Sequence, residues 1–225
     1  MTAFSSGVDQ HIAPELASSA LVVIDTQVDL VDGGASPIAG TTQVLPAITR
    51  LLTVYRAAHL PIVHIVRLYD GDDVDLPRRT VMAAGASIVR PRSAGSQIVP
   101  ELRPRGAPAL DADVLLAGRA QELAPREWAL WKPRWGAFHR TSLGQHLRDL
   151  DVTTVVIVGC NYPNCPRATV YGASERDYRV LVIDQDAISG IQPYHLEEAQ
   201  RMGVLHAPTE QTIESIATLA AAGHH

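Results

Sequence analysis

Lysine is almost absent. The 225-residue chain holds 19 Lys+Arg, and Lys132 is the only lysine among them. A chain this rich in arginine and alanine uses arginine wherever a surface cation will serve. The survivor is therefore either chance or a position that needs an amine: compact, with a tunable pKa, able to carry a proton as a guanidinium cannot.

Cysteine is nearly as scarce, with Cys160 and Cys165 the only pair and Pro163 among the four residues between them. Two cysteines cannot frame a disulfide scaffold, and C-x4-C without neighbouring histidines is poor zinc spacing. Long apolar runs are missing too, so no segment reads as a transmembrane helix of roughly 18 residues or more. The opening MTAFSSGVDQ has no basic stretch followed by an apolar one, which sets the expectation of a cytoplasmic protein. Nor does one sign of charge dominate: 24 acids interspersed with the cations give a net charge of −5, arguing against nucleic-acid or anionic-membrane partners.

What is present has the size and patterning of one α/β domain over residues 1–225, with 1–18 an N-terminal extension and 222–225 set aside as resembling an expression-tag remnant. Apolar, β-branched blocks predict strands at Ala20–Asp25, Pro61–Arg67, Trp128–Lys132, Thr154–Gly159 and Arg179–Asp184, with a weaker edge strand at Gly203–His206. Helical periodicity fills Thr42–Ala58, Gly136–Leu150, Arg167–Tyr178, Tyr194–Met202 and Thr209–Ala221. The interval from Leu68 to Glu127 is irregular, with a helix expected near Arg78–Ala86. Alternating elements of this kind predict a three-layer, doubly wound sheet of about six mainly parallel strands with helices on both faces.

Ligands bind such sheets beyond the carboxyl ends of the strands. There the sequence places Asp25, Lys132 and the loop Cys160-Asn-Tyr-Pro-Asn-Cys165, an acid, an amine and a thiol at one rim. Each alone has a plainer reading: an Asp that caps a loop, a cysteine that fills the core. Cys165 precedes Pro166 and reads as the N-cap of the next helix, where a thiolate is favoured. Cys160 reads as a small buried hydrophobe, or as the partner of Cys165 in a regulatory disulfide. His64, inside an apolar strand, reads as a core residue.

Three ordered motifs resemble the isochorismatase-like cysteine hydrolases. They are LVVIDTQVDL at the first strand, Trp131-Lys132-Pro133-Arg134-Trp135-Gly136-Ala137-Phe138 continued by Thr141 and Leu143, and the stretch from Gly159 to Asp186-Ala187. The resemblance implies that Cys165 is the nucleophile, Asp25 the general base and Lys132 the residue that orients and polarises them. It also implies a non-proline cis peptide at Cys160–Asn161 and an oxyanion hole from the backbone N–H groups of Asn161 and Cys165. A homodimer or homotetramer acting on a small-molecule substrate follows from the same likeness.

Departures from the family pattern are informative. Tyr162, Pro163 and Pro166 stand in the nucleophile loop where small or β-branched residues are common, and the acids at 70–75 lack the histidines of the metal-binding branch. No metal and no other cofactor is therefore expected. Trp135, Phe138 and Tyr162 are candidates for an aromatic substrate wall, Phe138 equally for the core. Arg67, Tyr69, Arg78 and Arg79 either bind a substrate carboxylate or form a solvated cluster. The leading expectation is hydrolysis of a small amide, carbamoyl or related C–N bond through a Cys165 thioester. The alternatives are acid-catalysed vinyl-ether hydrolysis by Asp25 and a non-catalytic thiol-switch or binding protein.

Overall fold

The computed structural model describes residues 8–222. The seven strands are β1 (Ser19–Ile24), β2 (Ile62–Val66), β3 (Gln121–Ala124), β4 (Glu127–Trp131), β5 (Thr154–Gly159), β6 (Arg179–Ile183) and β7 (Leu205–Ala207). Their order across the sheet is β3-β4-β2-β1-β5-β6-β7, parallel throughout except for β3 against β4. The helices are α1 (Thr41–Ala57), α2 (Arg79–Ala83), α3 (Ala112–Leu116), α4 (Leu143–Asp149), α5 (Cys165–Ser174), α6 (Pro193–Gln200) and α7 (Thr209–Ala222).

β1 and β5 are buried along their whole length, which is why they read as unbroken apolar blocks. From β1 the chain winds through α1 to β2 on one side, and from β5 through α5 to β6 on the other. Right-handed crossovers running in opposite directions put α1 and α5 on opposite faces. The winding reverses between β1 and β5, and a crevice opens there at the strand ends.

Five of the expected strands shift by a residue or less at each end. The edge strand shortens to Leu205–Ala207, and β3 is an addition: its half-exposed QELA carries no apolar block to announce it. The helix expected over Gly136–Leu150 forms only from Leu143. Arg140 takes a left-handed backbone (φ 55), which breaks helical continuation, and Thr141 Oγ1 accepts the Leu143 N–H to start the shorter helix. From the irregular interval, Tyr69, Val74, Met82, Ile88 and Val89 join Leu30 in a small apolar cluster of their own, part of which lines the crevice.

Candidate active site

Register brings the chemistry together. Ile24 lies opposite Ile65 on β2 and Gly159 on β5, and Val66 lies opposite Trp131 on β4. Asp25, Arg67, Lys132 and Cys160 are thus each the first residue beyond a strand, within one residue of the same level of the sheet. The ladder continues one step further through Asp25 N–H to Ile65 O (2.9 Å), Lys132 N–H to Val66 O (3.0 Å) and Cys160 N–H to Ile24 O (2.9 Å), fixing these backbones. Asp25 takes a left-handed conformation (φ 53), which aspartate tolerates better than most residues. Gly159 (φ 117) has no alternative, since a Cβ there would meet Ile24 O at 2.2 Å.

Lys132 Nζ donates to Asp25 Oδ2 at 2.7 Å, and both side chains are buried. Ions out of water persist only when paired, and this pair meets that condition. Asp25 Oδ1 is buried with no donor. The Cys165 thiol lies close enough to this carboxylate to feel its charge. Burial pushes the thiol up to about 11; Asp25's charge adds to the rise, while Lys132 and Arg67 oppose it. A helix N-terminus was expected to favour the thiolate, but burial dominates and the resting group is a neutral thiol. Burial likewise pushes Cys160 up to about 12.

Two further expectations are corrected. Asn164, not Cys165, occupies the N-cap of α5, and Cys165 is the first helical residue, its carbonyl accepting from Thr169 Oγ1 at 2.8 Å. Among the described residues there is no cis peptide, so Cys160–Asn161 is trans; Gly159 makes the turn. The N–H groups of Asn161 and Cys165 remain free of backbone acceptors among the described residues, as an oxyanion hole requires.

Lys132 is buried behind Asp25, while Asp25, Arg67, Cys160, Asn161 and Cys165 line a cavity of about 100 Å³ together with Tyr69, Asp75, Arg78, Asn164 and Trp135. That is room for a carbamoyl-sized group. A wider apolar groove of about 690 Å³ adjoins it and shares Asp75, Pro77 and Trp135. Trp135, 41% exposed, stands between the two. Phe138 and Tyr162 do not line the cavity. Phe138 is buried, stacked on Tyr178 and under Arg176, with its edge toward the groove. Tyr162 donates its backbone N–H to Ser189 O and packs its ring on His195, on the far side of the loop.

Sequence reasoning assigned no role to Gln27. Its side chain accepts from Arg67 N–H (2.7 Å) and donates to the carbonyls of Arg67 (2.8 Å) and Ser96 (2.6 Å), clamping the end of β2 to the loop above. The available signal was an amide two residues past Asp25 in the first motif. His64 is a core residue: its Nε2 meets Glu127 Oε1 at 2.7 Å inside the sheet. Among the described residues no three His, Cys, Asp or Glu side chains gather in a metal-binding cluster.

The isochorismatase-domain model matches residues 19–215, from β1 into α7. The chain belongs to the isochorismatase family. A probable inactive nicotinamidase from Arabidopsis thaliana is 28% identical over 186 residues, covering 81% of this chain and 86% of the plant protein. An isochorismatase family protein from Desulfovibrio vulgaris superposes with a TM-score of 0.74 at 29% identity, covering 89% of this chain and 98% of the other. N-carbamoylsarcosine amidase from Thermoplasma acidophilum superposes at 0.67 with 22% identity, covering 86% and 97%, a likeness of fold. Members of the isochorismatase family are hydrolases, some of them amidases. No helix among the described residues is long and apolar enough to cross a membrane.

Proposed function

We propose that this family member is a cysteine-dependent hydrolase of a small amide, carbamoyl or related C–N bond, acting through a thioester at Cys165. The observation that carries the reading is Asp25, paired at 2.7 Å with the fully buried Lys132 behind it, lining the same cavity as Cys165. Asp25 takes the thiol proton on Oδ1, the oxygen with no donor at rest. The thiolate attacks the carbonyl carbon, and the N–H groups of Asn161 and Cys165 hold the oxyanion. The C–N bond breaks as Asp25 returns the proton to the leaving nitrogen, and water, deprotonated by Asp25, then cleaves the thioester. Lys132 keeps Asp25 ionised between these transfers. An arginine there is bulkier and too weak an acid to share protons.

The small cavity supports a compact reacting group, with the rest of the substrate directed past Trp135 toward the groove. The mechanism calls on no metal or other cofactor. We place the enzyme in the cytoplasm, where a free thiol is kept reduced, and as a homodimer or homotetramer.

The test is ammonia release from a panel of small primary amides, carbamoyl acids and ureas, by wild type and by Cys165→Ala and Asp25→Asn. Turnover by wild type alone supports the reading; full turnover by Cys165→Ala overturns it. A second reading, a non-catalytic member of the fold, is favoured by the plant relative's description as probably inactive. It predicts no turnover by any variant and no ligand protection of Cys165 from alkylation.

A further inference from the structure

Arg67 was a candidate for binding a substrate carboxylate, yet its hydrogen-bonding capacity is turned inward. The side chain is 5% exposed. Nη1 donates to Asp75 Oδ2 at 2.6 Å and to Pro133 O at 3.2 Å, and Nη2 reaches Cys165 Sγ at 3.6 Å. Tyr69 Oη donates to the same Asp75 oxygen at 2.9 Å, and Gln27 holds the Arg67 backbone from both sides. The terminal nitrogen that has no acceptor oxygen, Nη2, is the one that reaches the sulfur.

The charges explain the arrangement. At rest the buried site holds two cations, Lys132 and Arg67, and two carboxylates, Asp25 and Asp75, each cation on one carboxylate. When the Sγ–H bond breaks and the proton forms an O–H bond on Asp25, the negative charge moves from the carboxylate beside Lys132 to the sulfur beside Arg67. The total charge is unchanged and the new anion forms against a cation already in place, so little reorganisation is needed in a low-dielectric site.

We propose that Arg67 is a fourth catalytic group, the counter-ion that receives the Cys165 thiolate as the thiol proton passes to Asp25, with Asp75 and Tyr69 as positioning residues that hold its guanidinium toward the sulfur. The proposal rests on the cysteine-hydrolase reading. It also narrows the substrate: with Arg67 committed to Asp75 and the sulfur, the group entering the cavity beside it is an uncharged amide or carbamoyl, not a carboxylate.

Thiol reactivity tests this without a substrate. In a Cys160→Ala background, so that one thiol reports, the rate of Cys165 alkylation by iodoacetamide is followed from neutral pH upward. The groups facing the sulfur are Asp25 after β1, Arg67 after β2, Lys132 after β4 and Cys160 after β5, with Asp75 and Tyr69 behind Arg67. Arg67→Gln is expected to move the profile to higher pH by about one unit or more, a roughly tenfold loss of rate at a fixed pH, with Arg67→Lys partly restoring it. Asp75→Asn removes a negative charge and leaves the guanidinium, so it is expected to move the profile to lower pH. Opposite shifts support the proposal, because loosening of the site would move both variants the same way. Unchanged profiles, or shifts of one sign, overturn it. Since alkylation needs no turnover, this result stands apart from the ammonia assay: hydrolysis lost in Cys165→Ala with an unmoved Arg67→Gln profile would reject the role of Arg67 and keep the cysteine mechanism.

Discussion

Two buried polar clusters meet β2, one at His64 within the strand and one at Arg67 just past its end, and they do different work. His64 points into the sheet, where Glu127 accepts from it at 2.7 Å and from Arg56 Nε and Nη2 at 2.8 Å each, with both carboxylate oxygens used. Arg67, one residue past the strand, meets Asp75, a thiol and a cavity, and Asp25 beside it keeps an oxygen without a donor. In the first cluster both Glu127 oxygens are used, and the one unpartnered atom, His64 Nδ1, lies away from the cavity beside Cys165. The second is deliberately incomplete, with a free acceptor, a nucleophile and space for a small group. Buried charge is costly in both places, so burial alone does not mark a site. Unspent hydrogen-bonding capacity facing a cavity does.

The sharpest contrast is in turnover. Cys165→Ala, Asp25→Asn and Lys132→Arg are each expected to lower kcat by about 10³-fold or more, judged by ammonia release, with the fold intact by circular dichroism. Glu127→Gln is expected to do the converse. Leaving Arg56 and His64 around a neutral amide costs about 3–5 kcal/mol of stability in a denaturant titration, while activity per folded molecule stays near that of wild type.

A smaller effect concerns pH. Burial alone raises the Glu127 carboxyl, yet the hydrogen bonds from Arg56 and His64 outweigh it and hold the group below the usual carboxylate range. Its contribution is therefore present above the unfolded value of about 4.3 and is lost as pH falls through the lower folded value. Thermal unfolding scans are expected to show a shallower acid limb in Glu127→Gln than in wild type. The smallest change is expected from Trp135→Ala at the mouth of the cavity. Its stability stays within about 1 kcal/mol of wild type by thermal denaturation, and its KM rises without a matching fall in kcat.

Much of this was legible in the sequence, for reasons that vary by residue. β1 and β5 are buried on both faces, so their apolar blocks could hardly be anything else, and the strand ends located Asp25 and Lys132. Contacts formed across the fold were not legible. Gln27 acts on a backbone 40 positions away, and Tyr162 turns its ring from the cavity because of a bond to Ser189. The thiol was expected to lean toward its ionised form at a helix N-terminus, but the burial that opposes this depends on the whole tertiary structure. The Phe138 ring, held in sequence as either wall or core, packs against Tyr178 and Arg176 and also lines the groove, so the sequence alternatives stay open.

The central claim, that Cys165 forms the covalent intermediate, is tested most directly by intact-protein mass spectrometry on samples quenched in acid during turnover of an active amide or carbamoyl substrate. The account predicts a mass increase equal to the acyl group, mapped to Cys165 and missing in Cys165→Ala. Sustained ammonia release by Cys165→Ala, with no adduct on the wild-type protein, would contradict it.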